Sequence, residues 1–246
     1  MVAPFAREPV CIEVEGPLVS WPYVSMTIDM MQRMQIPVTV ESGSCFQVSK
    51  PHYFAWGGIS VEPDASAASY FFGAAAITGG KVQVPDLLSN SIQGDIRFVD
   101  LLESMGCHVT RGNRSTTVVG GPLHGIDEDM NDISDCVMTL AAVACFADGP
   151  TTIRNVAHIR HKETDRLTAL ANELRKVGAE VDEFPDGLKI TPRPLHGAEI
   201  ETYNDHRMAM SMSLIGLKVP GIVIRNPGCV AKTYPQFFDD LESLRK

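Results

Sequence analysis

The segment Lys162-Glu163-Thr164-Asp165-Arg166 puts two cations and two carboxylates into five residues, just ahead of an apolar pattern at Leu167, Leu170, Ala171 and Leu174 that reads as a helix. Lys162 and Arg166 stand four residues apart and Glu163 and Arg166 three apart, so all three share one face of its first turn. Cations at that end oppose the helix dipole. A bound anion resolves the conflict; a solvated, salt-bridged turn is the plainer alternative. Asp205-His206-Arg207-Met208-Ala209-Met210 repeats the pattern, with Asp205 as a natural cap and His206 and Arg207 in the first turn. Ala231-Lys232-Thr233-Tyr234 adds a third cationic helix start after the loop Asn226-Pro227-Gly228-Cys229. Asp135 and Glu163 supply carboxylates for proton transfer beside these cations. The chemistry implied is the handling of substrates that carry carboxylate or phosphate.

The elements that must position these residues recur along the chain. Asp64 opens a helix of small residues ending at Gly79-Gly80; 71 residues later Asp135 opens another, and 70 residues after that Asp205 opens a third. A second, Leu-rich helix followed by a strand recurs at Met31–Val38, Leu102–Val109 and Leu174–Val181, with Gly106 and Gly178 as left-handed stops and Gln35 in the corresponding place. Tyr234–Leu244 fits a fourth copy of this helix. Short β-branched strands are expected at Lys81–Val84, Thr116–Val119, Thr151–Val156, Leu188–Thr191 and Ile222–Arg225. Gln93, Lys162 and Lys232 fall at equivalent starts of the second helix, 69 and 70 residues apart. Three units around a pseudo-threefold axis would gather several helix N-termini at one end, where free N–H groups favour anions.

Composition bounds the rest. The chain has 246 residues, 44% apolar and 21% charged, the balance of an ordinary globular protein. Its net charge of −9 gives no general attraction to nucleic acid or anionic membrane, so any anion site needs cations concentrated locally. No apolar run approaches the roughly 18 residues of a membrane span and no leader pattern opens the chain, so a cytoplasmic protein is expected. The six cysteines show no CxxC pair and read as reduced thiols. Cys136 and Cys229, beside the candidate site, are nucleophiles or, more commonly for such thiols, buried small residues. His158 and His161 with Glu163 and Asp165 match no metal-ligand spacing, so no metal is expected. Nothing reads as a nucleotide-binding glycine loop, and Met208, Met210 and Met212 belong in the core.

The segments Glu62–Tyr70, Asn90–Phe98, Lys162–Arg166, Tyr203–Met210 and Ala231–Pro235 together resemble the 5-enolpyruvylshikimate-3-phosphate synthase family across nearly the whole chain. The resemblance implies an α/β fold: an enolpyruvate transferase-like domain of three repeated βαβαββ-type units about a pseudo-threefold axis, plus the remnant of a second such domain. On that reading residues 1–60 are the remnant of the N-terminal domain and 61–246 the complete C-terminal one. It also implies transfer of the enolpyruvyl group of phosphoenolpyruvate to the 5-hydroxyl of shikimate 3-phosphate, with release of phosphate and no metal or organic cofactor. By resemblance Asp135 takes the hydroxyl proton and Glu163 acts at the methylene carbon. Lys162 bridges the shikimate hydroxyls and the reacting centre. Arg166 and Arg207 clamp the phosphoenolpyruvate carboxylate, with His206 beside them, and Lys232 meets its phosphate. Ser20, Tyr23 and His158 hold shikimate 3-phosphate, His158 standing where some members carry asparagine. Family members are about twice this length, so a complementing N-terminal chain is an expected partner. It would bring a lysine, an arginine and a glycine loop to the site. Two alternatives stand beside this reading: a non-catalytic chain that retains the fold, and a relative acting on a UDP-sugar.

Overall fold

The computed structural model describes residues 1–41, 43–50, 58 and 60–244. The expected domain junction near residue 60 adjoins positions 51–57 and 59, which lie outside the described residues, as do the last two residues of the range 61–246.

In chain order the elements are β1 (Val10–Glu13), α1 (Trp21–Arg33), β2 (Val38–Glu41), β3 (Cys45–Val48), α2 (Ala65–Thr78), β4 (Lys81–Pro85), α3 (Phe98–Ser104), β5 (His108–Arg111), β6 (Ser115–Val119), β7 (Asp127–Asp129), α4 (Val137–Ala144), β8 (Thr151–Arg154), α5 (Arg166–Lys176), β9 (Glu180–Phe184), β10 (Gly187–Thr191), β11 (Glu199–Ile200), α6 (His206–Ser213), β12 (Val223–Ile224) and α7 (Phe237–Ser243).

One plan repeats in the sheets. A strand leads through a helix to a hairpin, and the second hairpin strand lies between the other two, antiparallel to both. This gives the orders β1-β3-β2, β4-β6-β5 and β8-β10-β9. In two units a further strand comes first and leads through a helix into the sheet: β7 passes through α4 to β8 and runs parallel to it, and β11 passes through α6 to β12 and runs parallel to it. Residues 127–191 thus form a full βαβαββ unit. Among the described residues, β12 pairs with β11 and with no hairpin.

The helices form two classes because their sequences do. α4 is Val-Met-Thr-Leu-Ala-Ala-Val-Ala with every residue buried, and a helix apolar all round belongs in the interior. α2 is likewise rich in small buried residues. α5 is amphipathic and covers the core with Leu167, Leu170, Ala171 and Leu174. The inner helices α2, α4 and α6 meet at a hydroxyl chain: Ser69 Oγ lies 3.2 Å from Thr139 Oγ1, which lies 3.3 Å from Ser211 Oγ, all buried. These residues are 70 and 72 apart, so the repeat period and the pseudo-threefold axis coincide at one buried point. Gly73 permits that approach, since a Cβ there would stand 3.0 Å from Thr139 Cγ2.

Four sequence expectations change. Asp135 is no helix cap; it sits in a 3-10 segment, 131–136, that runs into α4, and α4 has no side-chain cap. Lys162 and Lys232 are outside the first turns of α5 and α7, because the 3-10 segments 157–161 and 227–232 intervene before those helices begin at Arg166 and Phe237. Gln93 similarly precedes the 3-10 segment 94–97 and α3. β7 and β11 went unanticipated: Asp-Glu-Asp carries no apolar alternation, and two residues are too short to show a period. Asp64 and Asp205 do cap α2 and α6, accepting from the Ala67 and Arg207 N–H groups. Met208, Met210 and Met212 are buried as expected, and no helix among the described residues is long and apolar enough to cross a membrane.

Candidate active site

Arg166 is the centre of the site. It opens α5, whose cap is Asp165, and its side chain is 2% exposed. Each edge of its guanidinium meets a different carboxylate: Nε donates to Asp205 Oδ2 at 2.8 Å, Nη1 to Asp135 Oδ1 at 3.1 Å and Nη2 to Glu163 Oε2 at 2.7 Å. A forked, permanently charged group is suited to such a node where a lysine is not. Arg207, on the first turn of α6, donates to Asp135 Oδ2 at 2.7 Å and to the Tyr70 hydroxyl of α2 at 3.2 Å. Lys162 Nζ lies 3.9 Å from Asp135 Oδ1, and Lys232 hydrogen-bonds Glu163 Oε1.

Residues from four places in the chain therefore form one network: Lys232–Glu163–Arg166–Asp135–Arg207, with Lys162 beside Asp135 and Asp205 behind Arg166. Within this network four cations face three carboxylates, a concentration of cations in a chain of net charge −9. His206 adds no charge near neutrality. Burial, then Arg207, lowers its pKa from 6.5, and its Nδ1 has no hydrogen-bond partner among the described residues. The expectation of a cationic His206 is corrected on that ground; only Arg207 charges the start of α6.

The carboxylates respond to the cations. Burial pushes Asp135 up, but Arg207, Arg166 and Lys162 outweigh it and hold the group below its ordinary 3.8. Burial likewise raises Glu163, while the hydrogen bond from Lys232, the Arg166 charge and its own backbone N–H pull it down to about 2. A carboxyl with a depressed folded-state pKa contributes stability that is present above its unfolded value and lost as pH falls through the folded one. For Glu163 that window runs from 4.5 down to about 2. Thermal unfolding across this window should show the melting temperature falling with acid, and Glu163→Gln should flatten the slope. An unchanged slope would mean that the contacts of Glu163 are lost in solution.

The second group of expected residues lies alongside. Ser20, in a left-handed conformation (φ 56°) before α1, places its Oγ 3.1 Å from His158 Nε2 and 3.5 Å from Ser134 Oγ. Tyr23 donates its hydroxyl to Asp95 Oδ1 at 2.8 Å, and Ser66 hydrogen-bonds the other oxygen of Asp95. Burial raises the Asp95 carboxyl above its ordinary value despite those two donors. The N-terminal turn of α1 reaches this position because residue 94 is glycine: a Cβ there would stand 2.6 Å from Pro22 Cβ. Cys136 is fully buried with its thiol pKa pushed well above 9.0, which removes it as a nucleophile near neutral pH; Cys229 is half-buried, and burial raises its thiol too.

Three contributors escaped sequence reasoning. Asp95, 2% exposed, holds Tyr23 and Ser66; it lay inside a recognised segment, but nothing in its neighbours distinguishes it from a surface aspartate. Tyr70 receives Arg207. Arg160 ties Asp165 at 2.8 Å, Glu183 at 2.9 Å and the carbonyl of Phe184 at 2.8 Å, fixing the cap of α5 against the β9–β10 hairpin. Its place in the basic run from His158 to Lys162 was the available signal.

A family profile described as EPSP synthase (3-phosphoshikimate 1-carboxyvinyltransferase) matches residues 1–241. The chain belongs to the EPSP synthase family. Curated relatives named 3-phosphoshikimate 1-carboxyvinyltransferase include that of Nostoc punctiforme, 54% identical over 239 residues, covering 97% of this chain and 56% of that protein. That of Shewanella amazonensis is 47% identical over 249 residues, covering 100% and 58%. Among solved structures, EPSP synthase from Acinetobacter baumannii superposes with a TM-score of 0.81 at 25% identity, over 98% of this chain and 57% of that one. The enolpyruvyl transferase NikO from Streptomyces tendae, at 20% identity and a TM-score of 0.73, shares the fold. The chain spans somewhat over half the length of the EPSP synthases it matches. The expected α/β enolpyruvate transferase architecture is thus correct.

Proposed function

We propose that this chain carries the C-terminal wall of a site that transfers the enolpyruvyl group of phosphoenolpyruvate to the 5-hydroxyl of shikimate 3-phosphate, releasing phosphate. The observation that carries the reading is the single ionic network in which Arg166 joins Asp135 to Glu163 while Lys162, Arg207 and Lys232 surround them. The reaction is an addition followed by an elimination. The hydroxyl oxygen adds to the substituted alkene carbon while the methylene carbon gains a proton; phosphate then departs and the methylene carbon returns that proton. Two proton-transfer groups are needed on different sides of one carbon skeleton, and a highly anionic intermediate must be held by preorganised cations.

Asp135 is held as a weak base, because Arg207 and Arg166 both donate to it. A substrate carboxylate that draws those guanidinium groups toward itself would release Asp135 and raise its basicity. Base strength is thereby tied to the arrival of phosphoenolpyruvate. Glu163 is held between Arg166 and Lys232 in the same way. As the substrate carboxylate and phosphate draw those cations off it, it takes up a proton, gives it to the methylene carbon in the addition and recovers it in the elimination, while Lys232 receives the phosphate. Lys162 lies between Asp135 and the shikimate hydroxyls. Ser20, Tyr23 and His158 form the shikimate 3-phosphate side, and His206 packs behind the phosphoenolpyruvate carboxylate held by Arg166 and Arg207.

We read residues 1–60 as the tail of the front domain and 61–246 as the rear one, with the cleft between them closed by a complementing N-terminal half in the cytoplasm. Phosphate release from shikimate 3-phosphate plus phosphoenolpyruvate tests the reading. Turnover is expected when the front half of a family member is supplied, and little without it. No release under either condition would leave a fold without the activity, and release only with a UDP-sugar would reassign the acceptor.

A further inference from the structure

The sheet β1-β3-β2 has one apolar and one polar face. Val48 and Phe46 on β3 turn inward: Val48 joins Met31 and Ile36 in a small core, and Phe46 stacks on Trp21 with ring centroids 6.5 Å apart. Side chains alternate across a strand, so Cys45 and Gln47 take the opposite face. Register places Glu13 directly across from Cys45 and Cys11 across from Gln47, which brings Cys11, Glu13 and Cys45 onto that polar face. Cysteine is among the most buried residue types. Two on the water-facing side of one small sheet, among Glu and Gln, are not there to pack.

Their atoms converge. Cys11 Sγ lies 3.3 Å from Cys45 Sγ, and one ligand atom from each of Cys11, Cys45 and Glu13 lies within 4.8 Å of the others. Two sulfurs on one tetrahedral zinc-like ion, at about 2.3 Å each, stand roughly 3.8 Å apart. A disulfide needs about 2.0 Å. The observed separation is closer to the metal's bite than to the covalent bond. Both thiols also belong to strands paired along their whole length, so the two ligands are held by backbone register and not by a loop.

We propose that Cys11, Cys45 and Glu13 form a binding site for a thiophilic divalent ion of the zinc class, separate from the anion site, with water completing the coordination. Binding converts two thiols to thiolates and releases their protons to solvent, with no change of oxidation state. Charge favours the same occupant: Glu41 faces Cys45 from β2, so cation entry relieves a cluster of like charge. The ion would clamp β1 to β3 at the outer surface, leaving the network around Arg166 untouched.

The test uses the full chain, kept reduced by a phosphine. Zn²⁺ is titrated against a chromophoric chelator, and Co²⁺ is added separately to read thiolate-to-metal charge transfer. One equivalent of Zn²⁺ and a charge-transfer band are expected. Cys11→Ser and Cys45→Ser should each weaken binding by about 100-fold and abolish the band, and Glu13→Gln should weaken it by about tenfold. Should a serine variant fail to fold, alkylation of the unmutated chain decides. Zn²⁺ should slow iodoacetamide labelling of Cys11 and Cys45 specifically, as mapped by mass spectrometry. Zn²⁺ affinity equal to that of the Cys11→Ser/Cys45→Ser chain, or labelling rates indifferent to Zn²⁺, would overturn the site.

Discussion

Asp205→Ala is expected to lower the free energy of unfolding by about 3–5 kcal/mol, the cost of stripping a partner from a buried ion pair. The Asp205 side chain is 0% exposed and serves two elements at once. Its Oδ1 accepts the Arg207 N–H at 2.8 Å, capping α6, and its Oδ2 accepts Arg166 Nε at 2.8 Å. Alanine leaves one edge of a guanidinium that is 2% exposed without its acceptor. Asp205→Asn separates the two roles. It keeps the cap, worth about 1 kcal/mol, but not the charge, so its stability should fall between wild type and Asp205→Ala. Arg166→Met also takes a partner from Asp135 and Glu163, so pairing it with Asp205→Ala should cost less than the sum of the two single changes. Urea unfolding of wild type and the four variants measures this. If Asp205→Ala matched wild type, the ion pair would not be the support for Arg166 that the geometry indicates.

Asp135→Asn should have the largest effect on turnover, a fall in kcat of about 10²–10⁴-fold in the protein supplied with its front half, the range expected for loss of a general base. Folding should survive. Asp135 caps no helix, and Arg166 retains Asp205 and Glu163 when Asp135 becomes neutral. Arg207 keeps the Tyr70 hydroxyl and the amide oxygen of the new side chain. Phosphate release and a thermal melt on one preparation distinguish the outcomes. Activity within tenfold of wild type would remove Asp135 from proton transfer, and loss of the folding transition would give it a structural role.

The repeat was visible in the sequence because a period near seventy residues survives as pattern: Asp-led helices of small residues, Leu-rich helices stopped by Gly106 and Gly178, and β-branched strands between them. The Lys162–Arg166 and Asn204–Met210 runs marked the site because cations expected at the start of a helix are an electrostatic anomaly that residue order exposes, and Arg166 and Arg207 do occupy such starts. Local detail was less accessible. The 3-10 segments before α5 and α7 displaced Lys162 and Lys232 from the positions that spacing gives them, since a tighter turn changes where a side chain points without changing its place in the chain.

By itself the amino-acid order determined which residue types repeat, which helices are apolar all round and which cations cluster, because these depend on neighbours within a few positions. Tertiary structure alone decided that Asp135 receives Arg166 and Arg207, that Asp95 is held by Tyr23 and Ser66, and that Cys11 meets Cys45 across a strand pair. Those contacts join residues 29 to 72 positions apart. Hydrogen bonding and charge pairing act over a few ångströms of space, and which distant residues fall within that range is fixed only when the helices pack about their shared axis.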